Sequence, residues 1–240
     1  MSALEIVMIS VASVLVFCIV LALVVLRYFR KHTANKASDF KFLDRFALEN
    51  PVVFLGDSLT DFYPVNEFMP YGDILNRGIA ANTTKDVENR LNEVLELKPS
   101  AVFLQIGIND FIYQRKLAPE VLAERVLHIA NELKAAGITV YIISLYPLNR
   151  KKVKINFVSI RHASNKKVLA ANAFLADACE KEGFEFINVH DSLTDEEGNL
   201  KKEYTIEGLH ITVQGYGVIT KILSPYVTKA KGMDGSSVQE

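Results

Sequence analysis

Short apolar runs alternate with longer helical patterns from residue 52 to residue 228, and this alternation limits the possible fold more than any other feature. The apolar runs are rich in β-branched residues and span 52–55, 74–75, 101–106, 139–144 and 184–189. The helical patterns span 84–97, 119–136, 165–182 and 213–228. Strands that alternate with helices of this length form a parallel sheet with helices on both faces. We therefore predict an α/β domain in residues 51–228, a three-layer α/β/α sandwich around a five-stranded parallel sheet.

A second constraint lies at the N-terminus, where residues 6–26 contain no charged side chain. A helix of this length spans about 30 Å, the thickness of the hydrocarbon core of a bilayer. A cleaved signal peptide would carry basic residues ahead of a shorter apolar run, but Glu5 is the only charged side chain before this one. A buried core helix would carry a polar stripe, which this segment lacks. We predict a retained single-pass transmembrane helix at 6–26, after a short N-terminus at 1–5.

Basic residues follow the apolar segment directly, namely Arg27, Arg30 and Lys31. By the positive-inside rule they place the bulk of the chain in the cytoplasm, with the extracellular face as the alternative. We interpret residues 27–50 as a basic juxtamembrane linker that ends in a short amphipathic helix. The polar tail at 229–240 is predicted to be disordered.

Charge and cysteine content argue against several kinds of function. The net charge is −1, so the composition does not indicate a nucleic acid partner. The two cysteines, Cys18 and Cys179, are far apart and form neither a C-x-x-C motif nor a metal-ligand spacing. We interpret them as buried or lipid-facing thiols, and they predict no disulfide framework.

Chemically informative residues follow three of the predicted strands and precede the last helix. In a parallel sheet the ligand site lies beyond the carboxyl ends of the strands. Four clusters are expected there: Gly56-Asp57-Ser58-Leu59, Asn76-Arg77-Gly78, Gly107-Ile108-Asn109-Asp110 and Glu207-Gly208-Leu209-His210. Each cluster alone is also typical of an ordinary turn. Together, at one edge of one sheet, they indicate acyl-transfer chemistry.

A serine hydroxyl needs a neighbouring base before it becomes a good nucleophile, and histidine has a suitable pKa for that role. We therefore predict Ser58 as the nucleophile and His210 as the base. The histidine in turn needs a carboxylate to fix its tautomer, and Glu207 lies three residues before it. The alternatives are that Asp191 or a backbone carbonyl orients the histidine.

The tetrahedral oxyanion of acyl transfer needs preorganised hydrogen-bond donors. The backbone N–H groups of Ser58 and Gly78 and the side-chain amide of Asn109 are the predicted donors. Gly78 has no Cβ, so the backbone can approach a substrate closely at that position.

The four clusters, in this order, resemble the SGNH hydrolases, which are also called GDSL lipases or esterases. Gly56-Asp57-Ser58-Leu59 is similar to the first sequence block of that family, and Gly78 to its second block. Gly107-x-Asn109-Asp110 is similar to the third block, and Glu207-x-x-His210 to the last. The resemblance covers about residues 50–228. It implies a flavodoxin-like fold, a serine nucleophile, a histidine base and no metal or organic cofactor. The family usually has Asp three residues before the histidine, where this chain has Glu207.

A basic stretch between residues 149 and 167 follows the fourth predicted strand. Its basic and imidazole side chains are Arg150, Lys151, Lys152, Lys154, Arg161, His162, Lys166 and Lys167, and it contains no acidic residue. A charge run of this kind is usually a solvated loop. The sharper hypothesis is that it contacts an anionic membrane surface or an anionic substrate, because anionic headgroups attract such segments.

The residues therefore predict a membrane-anchored serine ester hydrolase that works through an acyl-serine intermediate. Its expected substrates are O-acyl esters of small molecules, glycans or lysophospholipids. An O-acyltransferase with the same serine and histidine is the alternative, since only the acceptor would differ. A non-catalytic binding module is disfavoured because nucleophile, base and oxyanion donors are all present. The oligomeric state, the acyl chain length and the alcohol do not follow from the sequence.

Overall fold

The protein is described by a computed structural model that covers residues 2–151 and 162–233. The chain divides into two compact units, residues 1–42 and residues 43–240. The first unit is helical, and the second contains the sheet.

Helix α1 (Ala3–Leu43) forms the N-terminal unit, apart from its last residue, Leu43, which belongs to the second unit. Its segment Ala3–Val25 is long and apolar enough to cross a membrane, with a mean hydropathy of 3.1, and none of it is buried within the protein. A membrane anchor and a signal sequence share these properties. The helix also continues through residues 27–37, where the sequence predicts a linker. No Gly or Pro interrupts residues 27–43, so no local signal ends the helix there.

The second unit is built on a five-stranded sheet in which every paired strand is parallel to its neighbours. The strands are β1 (Val52–Gly56), β2 (Ile74–Gly78), β3 (Ala101–Gln105), β4 (Thr139–Ile143) and β5 (Glu185–Ile187). Their spatial order is β2-β1-β3-β4-β5. This arrangement confirms the predicted fold class, and the register places the carboxyl ends of β1, β2 and β3 side by side.

Helices cover both faces of the sheet. They are α2 (Ser58–Asp61), α3 (Val65–Phe68), α4 (Thr84–Asn89), α5 (Leu91–Glu96), α6 (Ile108–Tyr113), α7 (Pro119–Ala135), α8 (Asn165–Glu182), α9 (His190–Leu193) and α10 (Val213–Ala230). Helix α7 packs between α4 and α8, while α10 packs against α3 and α9. The predicted disordered tail at 229–240 therefore begins inside α10, and residues 234–240 lie outside the described residues.

The predicted helix at 84–97 is interrupted at Arg90. Thr83 begins the helix with a capping box, in which its side chain and that of Asp86 each bind the other's backbone N–H. Arg90 leaves the helical conformation, with φ −114° and ψ 13°, and divides the segment into α4 and α5. Its side chain is buried, so a residue that the periodicity assigns to a polar helix surface instead points into the domain.

An aromatic row crosses three adjacent strands under α10. Phe54, Phe103 and Tyr141 occupy the same register on β1, β3 and β4. Their rings stack with centroids 4.9 Å and 4.6 Å apart, and Tyr226 of α10 contacts the last ring edge-on at 5.8 Å. Stacked aromatic pairs add about 0.5–1.5 kcal/mol beyond the area that they bury. The row favours the register that aligns the strand ends.

Two glycines of α10 provide a matched test of how closely this helix packs against its neighbours. A Cβ on Gly215 would lie 2.7 Å from Ile211 Cγ2 and 3.1 Å from the carbonyl oxygen of Tyr204, whereas a Cβ on Gly217 would have Phe68 Cε1 at 3.8 Å as its nearest neighbour. We expect Gly215→Ala to lower the free energy of unfolding by about 1–3 kcal/mol. Gly217→Ala should raise it by up to about 1 kcal/mol through higher helix propensity. Thermal unfolding of both full-length variants in detergent, followed by circular dichroism, measures the two effects; equal shifts would contradict the expectation.

Candidate active site

The sheet edge at the end of β1 brings Ser58 and His210 together. Ser58 opens α2, one residue after the Asp57 that caps this helix. His210 lies in the turn that precedes α10. The Nε2 atom of His210 is 3.1 Å from Ser58 Oγ, which is hydrogen-bond distance for a base and its nucleophile.

The opposite side of the imidazole contacts Glu207. Its Oε1 lies 2.7 Å from His210 Nδ1 and also accepts the backbone N–H of His210 at 3.1 Å. Asp191, the alternative partner, lies instead beside the ring of His190, with Oδ1 3.1 Å from Nδ1. Burial raises the pKa of the Glu207 carboxyl, but its hydrogen bonds and charge interaction with His210 outweigh this and leave the pKa below its ordinary value.

The turn that carries both residues is held by its own hydrogen bonds. The hydroxyl of Thr205 donates to the carbonyl of His210 at 2.9 Å and accepts the N–H of Gly208 at 2.8 Å. Gly208 has φ +105°, a conformation that residues with a Cβ rarely adopt. The glycine therefore allows Glu207 to fold back onto a histidine only three residues away.

Asn109 lies near the start of α6 and is buried. Its side-chain Nδ2 donates one hydrogen bond to the carbonyl of Asn82, at 3.0 Å. An amide nitrogen carries two hydrogens, so the second remains for another acceptor. The bond to Asn82 also fixes the orientation of the amide.

Gly78 has a different local role from the one that the sequence predicts. Its N–H donates to Asn76 Oδ1 at 2.9 Å, so this predicted oxyanion donor is already occupied. A Cβ on Gly78 would lie 2.2 Å from the backbone nitrogen of Asp61. The missing side chain thus lets α2 pack directly against the end of β2, which accounts for glycine at this position without any contact to substrate.

The loop after β2 contains a residue of the site that no sequence motif indicates. Ala81 has φ +67°, although it is not glycine. On either side of it, Ala80 N–H donates to Asp61 Oδ2 at 3.0 Å and Asn82 N–H to the Ile79 carbonyl at 3.2 Å. No acceptor for the Ala81 N–H is found within the described ranges. An alanine carries no sequence signal for this conformation, which costs about 1–3 kcal/mol.

Arg90 is a second residue of the site that no sequence motif indicates. Its Nε donates to Asn82 Oδ1 at 3.0 Å, and its Nη2 donates to the carbonyls of Arg77 at 2.8 Å and Gly56 at 3.2 Å. Burial lowers the pKa of the guanidinium to about 10. Arg90 therefore joins the carboxyl ends of β1 and β2 to the loop that supports Asn109.

Asp57 is fully buried beside the site. Its Oδ1 accepts the N–H of Leu59 at 2.9 Å, while Oδ2 has no partner among the residues that the structure describes. Burial raises the pKa of this carboxyl to about 7; the Leu59 hydrogen bond and the charge of His210 oppose that shift. Asp57 thus keeps its proton to much higher pH than an exposed carboxyl.

The basic stretch is described only in part, because Lys152, Lys154 and Arg161 lie outside the described residues. Lys151 forms an exposed ion pair with Glu197 at 3.8 Å. Lys167 donates to two backbone carbonyls before α7, those of Arg115 and Leu117. At least Lys167 therefore contributes to the packing of the domain.

The implied lack of a metal or organic cofactor stays a prediction. Within residues 2–151 and 162–233, no group of three or more His, Cys, Asp and Glu side chains is arranged to hold a metal ion. Cys18 is an exposed free thiol and Cys179 a buried one.

Comparison with known proteins matches the chain to one sequence family. The profile of the "GDSL-like Lipase/Acylhydrolase family" matches residues 54–218. A search of curated proteins finds no match.

Several solved structures share the fold. A proposed platelet activating factor from Streptococcus pneumonia is 25% identical, with a TM-score of 0.74 over 87% of this chain and 98% of that one. A GDSL-like lipase from Bacteroides thetaiotaomicron is 20% identical, with a TM-score of 0.68 over 84% and 98%. A lipase/acylhydrolase from Enterococcus faecalis is 19% identical, with a TM-score of 0.63 over 79% and 100%.

The raised pKa of Asp57 gives a test by pH. Because the folded protein binds this proton more tightly than the unfolded chain, the contribution of Asp57 to wild-type stability should fall as pH rises from about 4 to about 7. Asp57→Asn removes the ionisation and keeps an acceptor for Leu59 N–H. The melting temperature of the variant minus that of the wild type should therefore increase between about pH 5 and about pH 8. Asp177→Asn, at an exposed carboxylate on α8, is the control; a difference for Asp57→Asn that does not change with pH would refute the assignment.

Proposed function

The chain belongs to the GDSL-like lipase/acylhydrolase family and is a carboxylic ester hydrolase, and we propose that Ser58 is its nucleophile. One observation carries this proposal: Ser58 Oγ, the His210 imidazole and the Glu207 carboxylate form a continuous chain of contacts at 3.1 Å and 2.7 Å. The order of groups is that of a serine hydrolase triad, with Glu in place of the more usual Asp.

In the proposed reaction, Ser58 Oγ attacks the ester carbonyl carbon while His210 Nε2 takes the hydroxyl proton. The imidazolium then returns this proton to the leaving alcohol oxygen as the C–O bond breaks, and an acyl-Ser58 intermediate remains. Water then attacks the acyl carbon with His210 again as base. The imidazolium returns the proton to Ser58 Oγ as the acyl–oxygen bond breaks, and the carboxylic acid leaves. The lowered pKa of Glu207 keeps its carboxylate charged beside the imidazolium.

We assign the oxyanion to three donors around Ser58. The first is the Ser58 N–H, and the second is the free hydrogen of the Asn109 amide. For the third we favour Ala81 over Gly78, because the Gly78 N–H already binds Asn76 whereas that of Ala81 has no acceptor in the described part of the chain. Each such donor contributes about 10²–10³ in rate.

The substrate class and the location of the enzyme belong to the same proposal. We propose hydrolysis of O-acyl esters of small molecules, glycans or lysophospholipids. Helix Ala3–Val25 supports membrane anchoring through its length and hydropathy. The basic residues Arg27 and Lys31 favour the cytoplasmic side for the domain at 51–228. The hypothesis that residues 149–167 contact an anionic surface stays a prediction.

Replacing the nucleophile tests the proposed function directly. Ser58→Ala removes the only atom that forms the acyl-enzyme bond, so kcat for a short-chain aryl ester should fall by a factor of about 10⁴ or more. Covalent labelling by a fluorophosphonate should be lost as well. Ser192→Ala, at an exposed serine of α9, should retain both. Covalent labelling of Ser58→Ala, or activity near the wild-type level, would refute the nucleophile.

Replacing Glu207 tests the orientation of the base. Glu207→Gln keeps the length of the side chain but removes the charge, so kcat near neutral pH should fall about 100-fold or more. Glu207→Asp keeps the charge and shortens the reach, and it should lose less activity than the Gln variant. The measurement is kcat for the same aryl ester, with the melting temperature as a check on folding. An unchanged kcat in Glu207→Gln would show that another group orients His210.

A further inference from the structure

Phe62 is an aromatic side chain that packing of the core does not explain. It lies one helical turn after Ser58, and its N–H donates to the Ser58 carbonyl at 3.0 Å. Its ring centroid is 5.2 Å from that of His210, at an interplanar angle of 51°. The residue is nevertheless 53% exposed. A large apolar surface is thus held open to solvent directly beside the proposed base.

A second exposed apolar side chain lies in the turn that carries Glu207 and His210. Ile206 directly precedes Glu207, and its N–H donates to the carbonyl of His210 at 3.1 Å. It is 69% exposed. Burying apolar surface of this kind against an apolar ligand is favourable in proportion to the area removed from water.

The proposed chemistry decides which half of an ester these side chains meet. His210 Nε2 takes the proton of Ser58 and must then deliver it to the oxygen of the departing alcohol, so that oxygen lies next to the imidazole. The carbonyl oxygen turns instead toward the oxyanion donors, which include the Asn109 amide. Groups beside His210 therefore contact the alcohol rather than the acyl chain.

We propose that Phe62, supported by Ile206, binds the alcohol portion of the substrate and selects esters of apolar alkyl or aryl alcohols over esters of sugars. This inference rests on the proposed function, because it assigns the leaving-group side of the Ser58–His210 site. Phe62 acts as a specificity-determining residue, and the proton transfers do not require it.

Two acetate esters isolate the alcohol in the test. Ethyl acetate and hexyl acetate form the same acetyl-Ser58, so their ratio of kcat/KM reports only the step in which the alcohol is bound and released. Each fully buried methylene is worth about fourfold, and partial cover of four additional methylenes gives a preference for hexyl acetate of about tenfold or more. Phe62→Ala should remove most of this preference. Ile206→Ala should reduce it by a smaller factor.

A matched control and an acyl series make the result specific. Phe174→Ala changes an exposed phenylalanine of α8, which contributes no residue to the site, and should keep the wild-type preference. The ratio of ethyl hexanoate to ethyl acetate varies the acyl chain alone and should be the same in Phe62→Ala as in the wild type. An unchanged alcohol preference in both Phe62→Ala and Ile206→Ala would overturn the inference. A change confined to the acyl series would overturn it too.

Fluorophosphonate labelling separates this inference from the function on which it rests. Phe62→Ala should still label covalently, and Phe174→Ala should label as fast as the wild type, since Ser58 and His210 are intact in both. If the wild type itself neither labels nor hydrolyses either acetate, the proposed nucleophile fails. If the wild type labels and hydrolyses both acetates equally, the nucleophile stands and the alcohol assignment fails.

Discussion

The buried guanidinium of Arg90 is the interaction on which the geometry of the site depends. A buried charge costs several kcal/mol unless its donors are satisfied, and three acceptors meet this one: the carbonyls of Gly56 and Arg77 and the side chain of Asn82. Gly56 lies two residues before Ser58, and the Asn82 carbonyl holds the Asn109 amide. The Arg90 side chain thus links Ser58 to the Asn109 amide, the group proposed to donate a hydrogen bond to the oxyanion, although it contacts neither of them directly.

Two glycines complete this arrangement by letting α2 lie directly on the strand ends. Gly56 and Gly78 are register partners on β1 and β2. A Cβ on Gly56 would lie 2.1 Å from the carbonyl oxygen of Gln105 on β3 and 2.3 Å from Thr60 Oγ1, and one on Gly78 would lie 2.2 Å from the nitrogen of Asp61. Thr60 and Asp61 belong to α2, the helix that begins at Ser58. Glycine is therefore needed at these positions to set the height of the nucleophile above the sheet, whatever the substrate is.

The sheet and the Ser58–His210–Glu207 contacts follow from patterns that are local or strictly topological. Parallel strands must end at one edge, and a residue three positions before a histidine can fold back onto it. The interruption at Arg90 does not follow, because periodicity assigns an arginine to the helix surface and only tertiary acceptors turn it inward. The sequence also does not show which backbone N–H groups are already hydrogen-bonded. It therefore predicts Gly78 as an oxyanion donor, and it contains no signal for Ala81 or for the positive φ of that residue.

Two carboxyl groups interact electrostatically with His210, and their surroundings give them different protonation states. Glu207 is partly exposed and bonded to the imidazole, which lowers its pKa. Asp57 is fully buried, which raises its pKa to about 7, and its Oδ2 has no partner among the described residues. Pairs of acids separated in this way hold distinct roles near neutral pH. Glu207 is the carboxylate available to stabilise the imidazolium. Asp57 is only partly ionised near neutral pH, which limits the negative charge beneath Ser58. Its Oδ1 still accepts the Leu59 N–H and fixes the first turn of α2.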